Sequence, residues 1–297
     1  MSPPPYVAPV VQSTAVFKDD IFRGKVLFCT GGGSGICRGM TEAVMRHGAD
    51  AVIVGRKLDR LTQSARELSE KTGQTCIPAQ ADVRKPEQLQ EAVAKTIEKF
   101  GKIDFVICGA AGNFMAPVSG LSENAFRTVI EIDTIGTYNT IKATLAYLRK
   151  TKGAYIHVSA TLHYRGTQYQ AHVSAAKAAV DALSVVIAVE EGPHGVRSNV
   201  IAPGAIADTE GASRLGNQID ARGFSSALGR IGQITDVASA TVFLFSDVAS
   251  FISGQVLVVR RGRGKRKDLS ASLSSSCLGP GKCIEHGEGE ALKNLQS

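Results

Sequence analysis

The sequence predicts an α/β fold in which one doubly wound domain is built around a seven-stranded parallel sheet. Two observations lead to this prediction. Short apolar segments alternate with segments of helical periodicity along most of the chain, and the apolar segments are hydrophobic at consecutive positions. Strands of that kind are buried on both faces, which requires helices on both sides of a parallel sheet.

The first half of the chain supplies the first four strands. Apolar runs followed by glycine or polar residues predict strands at 24–30, 51–54, 75–79 and 103–108. Between them, apolar residues recur at intervals of three and four, which predicts helices at 39–47, 58–71 and 87–100. Pro86 immediately precedes the last of these helices, a position where proline is well tolerated.

The second half continues the alternation. Helical spacing at 125–149 predicts one or two helices, and further helices are predicted at 172–190 and 235–244. The remaining strands are predicted at 154–158, 197–201 and 255–259. This order is that of a Rossmann-type fold, which binds its ligands at the carboxyl ends of the strands.

Composition limits the possible functions. The domain is predicted at 22–259, after a flexible N-terminal segment at 1–21 and before a basic, Ser-rich, disordered tail at 260–297. This tail has eight Lys or Arg and four Asp or Glu, so it carries +4 of the net charge of +7, and we expect no nucleic-acid partner. We also expect a soluble intracellular protein with no membrane segment, since the chain has no signal-like start and no run of about 18 apolar residues. The six cysteines lack CxxC spacing, which predicts reduced thiols and no metal site.

A glycine turn joins the first strand to the first helix and predicts a dinucleotide site. Gly31, Gly32, Gly33, Ser34 and Gly35 would allow backbone amides and a helix N-terminus to approach a pyrophosphate. Twenty residues beyond Gly35, where an NAD enzyme places a carboxylate for the ribose 2′-hydroxyl, the chain has Gly55, Arg56 and Lys57. Because Arg56 can pair with a 2′-phosphate, we predict NADPH as the cofactor.

Four motifs occur in the order of one enzyme family. They are the Thr-Gly-x-x-x-Gly turn, Asp82-Val83 after the third strand, Gly109-Ala110-Ala111-Gly112 after the fourth, and Pro203-Gly204-Ala205-Ile206 after the sixth. Over residues 22–259 the chain therefore resembles the short-chain dehydrogenase/reductase family. The resemblance implies further cofactor contacts, from Ile36, Asp82, Ala110, Lys177, Pro203, Gly204, Ala205, Ile206 and Thr209. One departure is Cys37, which stands where the family has its third glycine.

The catalytic positions differ from those of most members. Lys177 is present, but Val173 replaces the tyrosine four residues earlier, and Ala160 replaces the serine 17 residues earlier. We therefore do not expect carbonyl reduction by the tyrosine route. The family's supporting asparagine is here Asp133, and we predict that Asp133 and Lys177 hold a water and pass on its proton. The alternative is a buried salt bridge without chemistry.

These departures resemble one branch of the family, the fungal peroxisomal 2,4-dienoyl-CoA reductases. That resemblance implies NADPH-dependent reduction of 2,4-dienoyl-CoA to 3-enoyl-CoA in unsaturated fatty-acid β-oxidation, with Asn113 as a donor to the thioester oxygen. The implied acyl-CoA contacts are Arg56, Arg84, Phe114, Ser122, Asn124 and Arg214, although Ser122 also suits a helix cap. The branch also implies a homo-oligomer, a dimer or tetramer.

Two questions remain open at this stage. Arg260-Arg261-Gly262 stands where the family has Asp-Gly-Gly, and a one-nucleotide displacement of those codons can encode it, so 260–297 is either an out-of-frame translation or a divergent tail. The branch is peroxisomal, but the chain ends without a Ser-Lys-Leu-type signal, which leaves a cytoplasmic location possible. The alternative functions are NADPH-dependent reduction of another conjugated acyl or polyketide substrate, and NADPH binding without catalysis.

Overall fold

All seven strands form one parallel sheet, as predicted. The structure is a computed structural model that describes residues 10–164, 166–209 and 228–260. The strand order is β3-β2-β1-β4-β5-β6-β7. The strands are β1 Val26–Thr30, β2 Asp50–Gly55, β3 Cys76–Gln80, β4 Phe105–Cys108, β5 Ala154–Val158, β6 Arg197–Pro203 and β7 Val256–Val259. The predicted α/β fold is therefore confirmed.

Helices cover both faces of this sheet. They are α1 Gly35–Arg46, α2 Leu58–Thr72, α3 Pro86–Phe100, α4 Glu123–Ile130, α5 Gly136–Thr151, α6 Ala171–Glu191 and α7 Ile234–Phe245. One core contains buried residues of α1, α2 and α7, and the other contains buried residues of α3, α4, α5 and α6. Residues of β1 alternate between the two cores, with Leu27 in the first and Phe28 in the second. The apolar runs are thus consecutive because each strand faces two cores.

The sheet reverses its strand order at β1, which is where this class of fold binds ligands. Strand β1 pairs with β2 on one side and β4 on the other. The Thr30 hydroxyl donates to the Ile107 carbonyl at 3.3 Å and accepts from the Gly109 amide at 3.1 Å. These bonds join the glycine turn to the segment after β4, so both walls of the crevice are held in register.

A π turn separates α4 from α5. Residues Glu131–Ile135 form one π-helical turn, so that Glu123–Thr151 is a continuous helical segment with a local change of pitch. Such turns occur mainly inside α-helices and often at functional sites. The sequence predicted one or two helices here, and the structure has two α-helices joined by the π turn.

Helix α6 is the most apolar long helix of the described residues. The helical stretch Ala171–His194 is long and apolar enough, by length and composition alone, to cross a membrane. In this fold one face of α6 buries Val173, Ala176 and Val180, and the helix packs beside β6. Length and composition are therefore weak evidence for a membrane span here, because the core helix of an α/β domain meets the same criteria.

Candidate active site

A cleft of about 430 Å³ lies at the carboxyl ends of the strands beside the glycine turn. Ten of the predicted cofactor-binding residues line it: Gly31, Gly33, Ser34, Gly35, Ile36, Arg56, Asp82, Ala110, Lys177 and Thr209. The predicted catalytic residue Asn113 lines it as well. The structure thus brings together most of the positions that the motifs indicated separately.

The glycines of the turn are required for different structural reasons. Gly31 has φ +73°, and a Cβ there would lie 2.7 Å from the Gly109 carbonyl oxygen. Gly32 does not line the cleft, and a Cβ there would lie 2.7 Å from Ile53 Cγ2. Gly31 is therefore required by backbone shape and close approach, whereas Gly32 is required for packing on β2.

Cys37 is accommodated by a glycine across the cleft. Its thiol contacts the Gly109 carbonyl oxygen at 3.6 Å, and a Cβ at Gly109 would overlap Cys37 Sγ. The family that the sequence resembles has glycine at the position of Cys37 and asparagine at the position of Gly109, so the larger and smaller residues are exchanged here. The two departures from the motif are thus complementary, and Cys37 occupies space that a side chain at 109 would need.

We expect Gly109→Ala to destabilise the protein by about 1–3 kcal/mol, because the new methyl group overfills this site. Cys37→Ala removes the clashing sulfur, so the double variant should be more stable than the sum of the single variants predicts. Urea unfolding of the four proteins measures this coupling free energy. Strict additivity would contradict the complementarity.

Basic side chains surround the end of the cleft after β2. Arg56, Lys57 and Arg60 line it there. Arg38, another basic residue of the region, forms an ion pair with Glu67 at 2.6 Å. Described residues lining this end include no carboxylate other than Asp82. The electrostatic environment therefore favours an anionic group.

Asp82 is held by a neighbouring arginine. The Arg84 guanidinium donates from Nε to both carboxylate oxygens of Asp82 at 3.0 Å. Burial raises the pKa of Asp82, but the hydrogen bonds from Arg84 outweigh this, so the net shift is downward. Both residues are predicted site residues, and their pairing fixes the Asp82 carboxylate at the cleft edge.

Asp133 and Lys177 form a buried ion pair beside the cleft. Lys177 Nζ lies 2.9 Å from Asp133 Oδ2, and it also donates to the Val158 carbonyl at 3.0 Å. Asp133 Oδ1 accepts from the Gly112 amide at 2.7 Å. Burial raises the pKa of Asp133, and Lys177 and the Gly112 amide offset this only in part. Aspartate at this position therefore holds a proton more readily than an exposed one.

Asp133 lies at the middle of the π turn. Its carbonyl accepts from the Thr137 hydroxyl at 2.6 Å, and Gly136 follows at a point where a Cβ would overlap Val83. The helix therefore passes close to Val83, and its side chain at 133 is completely buried. Asp133 and Gly136, three residues apart, are thus both in close contact with neighbouring segments.

Comparisons with known proteins place the chain in a family. The family model described as Enoyl-(Acyl carrier protein) reductase matches residues 31–263. The chain is 49% identical over 251 residues to a peroxisomal 2,4-dienoyl-CoA reductase, (3E)-enoyl-CoA-producing, of Saccharomyces cerevisiae, covering 83% of this chain and 86% of that one. The corresponding protein of Danio rerio is 45% identical over 253 residues, with 84% of each chain covered.

The chain belongs to the short-chain dehydrogenase/reductase family. Among solved structures, the citronellol catabolism dehydrogenase AtuB of Pseudomonas aeruginosa is similar with a TM-score of 0.72 and 31% identity, over 82% of this chain and 96% of that one. The predicted family and its oxidoreductase class are confirmed. Members of this family bind a nicotinamide cofactor, which agrees with the cleft at the glycine turn.

The family's tyrosine position is apolar in this member. Val173 is buried and lines the cleft, and Ala160 lines it at the place of the serine. No tyrosine is among the described residues that line this cleft. Asp133 and Lys177 form an ionisable pair beside the cleft that could exchange a proton.

Three of the predicted substrate residues, Phe114, Ser122 and Asn124, lie in the segment after β4 and the start of α4, with mixed exposure. Phe114 is buried, with its ring 4.3 Å from that of His172. Ser122 caps α4 by accepting from the Ala125 amide at 3.2 Å, and Asn124 is exposed in the first turn of that helix. Ser122 thus has the structural role that its sequence context also suggested. Arg214 lies outside the described residues.

The Pro-Gly segment after β6 does not line this cleft. Pro203 ends β6, Ile206 is buried, and Ala205 lies between Gly204 and Ile206. A Cβ at Gly204 would lie 2.6 Å from the Cβ of Arg260, because the Gly204 amide donates to the Val259 carbonyl at 2.9 Å. The contacts that the family implies for these four residues remain a prediction. The continuation of the chain beyond Arg260, where the two interpretations of the tail differ, is outside the described residues.

Sequence reasoning missed several functional contacts. The Gly112 amide and the Val158 carbonyl, which hold the ion pair, are backbone groups whose role no residue type could reveal. Lys57 and Arg60 also line the cleft, and their proximity to Arg56 in the sequence was an available signal.

Proposed function

We propose that this protein reduces 2,4-dienoyl-CoA to 3-enoyl-CoA with NADPH, as an auxiliary enzyme of unsaturated fatty-acid β-oxidation. The observation that carries the proposal is the ion pair of Asp133 and Lys177 beside the cofactor cleft, in a site whose tyrosine position is Val173. A conjugated thioester needs protonation at carbon, and a phenol positioned for a carbonyl oxygen is not required for that. The names of the relatives from yeast and fish agree with this substrate class.

The ligand that we propose for the cleft is a phosphorylated dinucleotide. Gly31, Gly33 and Gly35 line the cleft at the N-terminus of α1, where we propose that backbone amides bind the pyrophosphate. Arg56, with Lys57 and Arg60 nearby, supports a 2′-phosphate, which a carboxylate at this place would repel. Lys177 also holds the nicotinamide ribose in this proposal.

The proposed reaction combines hydride transfer from the cofactor with proton transfer from the Asp133 and Lys177 pair. NADPH, when bound, supplies a hydride to C5 of the diene. The electrons of the two double bonds then shift toward the thioester, and Asn113 donates to its oxygen, which stabilises the resulting dienolate. Asp133 and Lys177 pass a proton through a bound water to Cα. The product has one remaining double bond, between C3 and C4.

The segments around the cleft suggest how the acyl-CoA lies. Phe114 and Val173 are apolar and close to the cleft, which suits the conjugated chain. Arg84 is half-buried beside Asp82 at the cleft edge and is proposed to face a CoA phosphate, together with Arg56 and Arg214. Ser122 and Asn124 are proposed to contact the acyl-CoA from the start of α4.

Oxidation of NADPH with 2,4-hexadienoyl-CoA tests the proposal directly. We expect loss of absorbance at 340 nm and a product with a 3-enoyl double bond by mass spectrometry and NMR. Turnover of a 2-enoyl-CoA at equal or greater efficiency would contradict the assigned substrate class. Binding of NADPH without turnover of any conjugated acyl thioester would instead favour a nucleotide-binding protein without catalysis.

Cofactor choice provides a separate prediction. Arg56→Gln removes a charge-assisted contact that we expect to contribute about 1.5–3 kcal/mol to 2′-phosphate binding. The KM for NADPH should therefore rise by roughly 10- to 100-fold, while the KM for NADH changes little. Arg66→Gln, on the exposed side of α2, is the matched control. An equal change for both cofactors would contradict the role assigned to Arg56.

We further propose a homo-oligomer. Neighbouring turns of α6 expose the apolar side chains Val185, Val186 and Val189, and Tyr138 is exposed on α5. Exposed apolar patches of this kind mark interaction surfaces in soluble proteins. Multi-angle light scattering should give a dimer or tetramer, and Val186→Glu should shift it toward the monomer.

We also propose that the protein acts in peroxisomes, which is the location in the names of the fungal and animal relatives. Imaging of the chain with a fluorescent tag at its N-terminus, beside a peroxisomal marker, tests this location. A diffuse cytoplasmic signal would contradict it. The same cells grown on an unsaturated fatty acid show whether location matters for growth.

A further inference from the structure

Residues just before α6 form hydrogen bonds with the segment after β4, at residues 114–116. The Ala116 amide donates to the Tyr169 carbonyl at 3.2 Å, and Gln170 Nε2 donates to the Phe114 carbonyl at 3.1 Å. One step further along α6, the His172 ring packs on the Phe114 ring with 4.3 Å between centroids and 31° between planes. Three successive contacts thus join two segments that are distant in the sequence.

These contacts are buried and their backbone is strained. Gln170 is 1% exposed and His172 is 0% exposed, although both are polar. Tyr169 has φ +65°, a conformation that is unfavourable for a residue with a bulky side chain. Strain of this kind persists only where surrounding contacts enforce it, and it is concentrated at functional sites.

His172 contributes through its ring. Neither of its ring nitrogens has a partner in hydrogen-bond geometry within the part of the chain that the structure describes. Burial lowers the pKa of His172, which favours the uncharged ring. The ring therefore contributes to this region through its packing on Phe114.

The supported segment contains the groups that act on the substrate. Gly112, whose amide holds Asp133 at 2.7 Å, is two residues before Phe114, and Asn113 lies between them. A shift of Phe114 therefore moves the donor to Asp133 and the donor proposed for the thioester at the same time. Lys177 and His172 lie on the same helix, α6. The contacts of Gln170 and His172 with Phe114, which we call the junction, therefore affect both partners of the ion pair.

We infer that Gln170 and His172 are positioning residues for the proposed reaction. They hold the 112–114 segment so that Gly112 keeps its bond to Asp133 and Asn113 faces the thioester oxygen. The inference extends the proposed function and rests on it for its kinetic consequences. The contact of Gly112 with Asp133 is independent of the substrate and can be measured without it.

Two readouts test this inference in the full-length protein. The first is the amide proton shift of Gly112 in the cofactor-free protein, since a short bond to a carboxylate moves it downfield. The second is kcat with 2,4-hexadienoyl-CoA. For His172→Ala we expect an upfield shift of Gly112 and a fall in kcat of about 10²-fold, because small misplacements of reacting groups have effects of that size.

Three further variants separate positioning from a general loss of structure. His172→Phe keeps a ring against Phe114 and should retain both the Gly112 shift and kcat. Gln170→Met removes the hydrogen bond to the Phe114 carbonyl and should resemble His172→Ala in direction, which keeps the test available if His172→Ala does not fold. His194→Ala, at an exposed histidine, is the control.

The inference is overturned if the Gly112 resonance and kcat are unchanged in both His172→Ala and Gln170→Met. It is also overturned if these variants lose only thermal stability, or if His172→Phe behaves like His172→Ala. An inactive wild-type protein would contradict the proposed function alone, because the Gly112 resonance would still decide whether the junction positions Asp133.

Discussion

Asp133→Asn is expected to lower kcat for 2,4-hexadienoyl-CoA by about 10²- to 10⁴-fold, the range that general acid catalysis typically contributes. The substitution keeps the shape of the side chain, so its oxygen can still accept from the Gly112 amide. It removes the carboxylate that balances Lys177 and that can share a proton with it. The chemical step should therefore fail while the cleft remains intact.

The measurement is a stopped-flow single turnover of the NADPH complex, with fluorescence titration of NADPH alongside. The dissociation constant for NADPH should change by no more than about twofold, since Asp133 is buried and does not line the cleft. Asp19→Asn, at an exposed carboxylate, is the matched control. Unchanged turnover in Asp133→Asn would remove the pair from the mechanism and leave it as a structural salt bridge.

Lys177→Met is expected to have the largest effect on stability. It removes the ammonium that contacts both Asp133 and the Val158 carbonyl, and it leaves Asp133 as a buried carboxylate without its counter-ion. Breaking a buried pair in this way costs about 3–5 kcal/mol at neutral pH. The affinity for NADPH should fall as well, because Lys177 lines the cofactor cleft.

The pH dependence of Lys177→Met follows from the same carboxylate. Burial already raises the pKa of Asp133 in the folded wild-type protein, and loss of Lys177 removes the main offset. A group whose pKa is higher in the folded state favours folding at low pH, and this contribution is lost as the pH rises through the folded-state pKa. Urea unfolding of Lys177→Met should therefore show a smaller defect at pH 5 than at pH 8.

A double variant separates charge from packing. Adding Asp133→Asn to Lys177→Met removes the unpaired carboxylate, so much of the lost stability should return and its pH dependence should disappear. Activity should stay absent, because both members of the proton-transferring pair are missing. A double variant as unstable as Lys177→Met would show that the defect comes from the lost lysine side chain.

The sequence predicted the sheet because each strand is apolar on both faces and clear turns separate the helices from the strands. It also predicted that Asp133 and Lys177 would lie together, since the family pattern connects their positions. The complementarity of Cys37 and Gly109 was not predictable, because it joins residues 72 positions apart through a contact of one sulfur with one carbonyl. Likewise, the pairing of Arg84 with Asp82 depends on side-chain geometry that periodicity does not contain.

Local backbone conformation was the other feature that the sequence did not predict. The π turn at Glu131–Ile135 has no residue signature comparable to the glycine turn, so its effect on Asp133 could be seen only in the fold. The same is true of Tyr169, whose positive φ is imposed by contacts with another segment. Both features depend on tertiary packing, which overrides the local conformational propensities that can be read from a single sequence.

The π turn also restricts insertions and deletions. A π turn contains one residue more than the α-helical turn it replaces, so one deletion between Glu131 and Ile135 would restore α-helical pitch and move Asp133 from its present position. Asp133 would then lose its hydrogen bond from the Gly112 amide. Among homologous chains, length changes should therefore accumulate in the loops and leave the number of residues between these two positions constant.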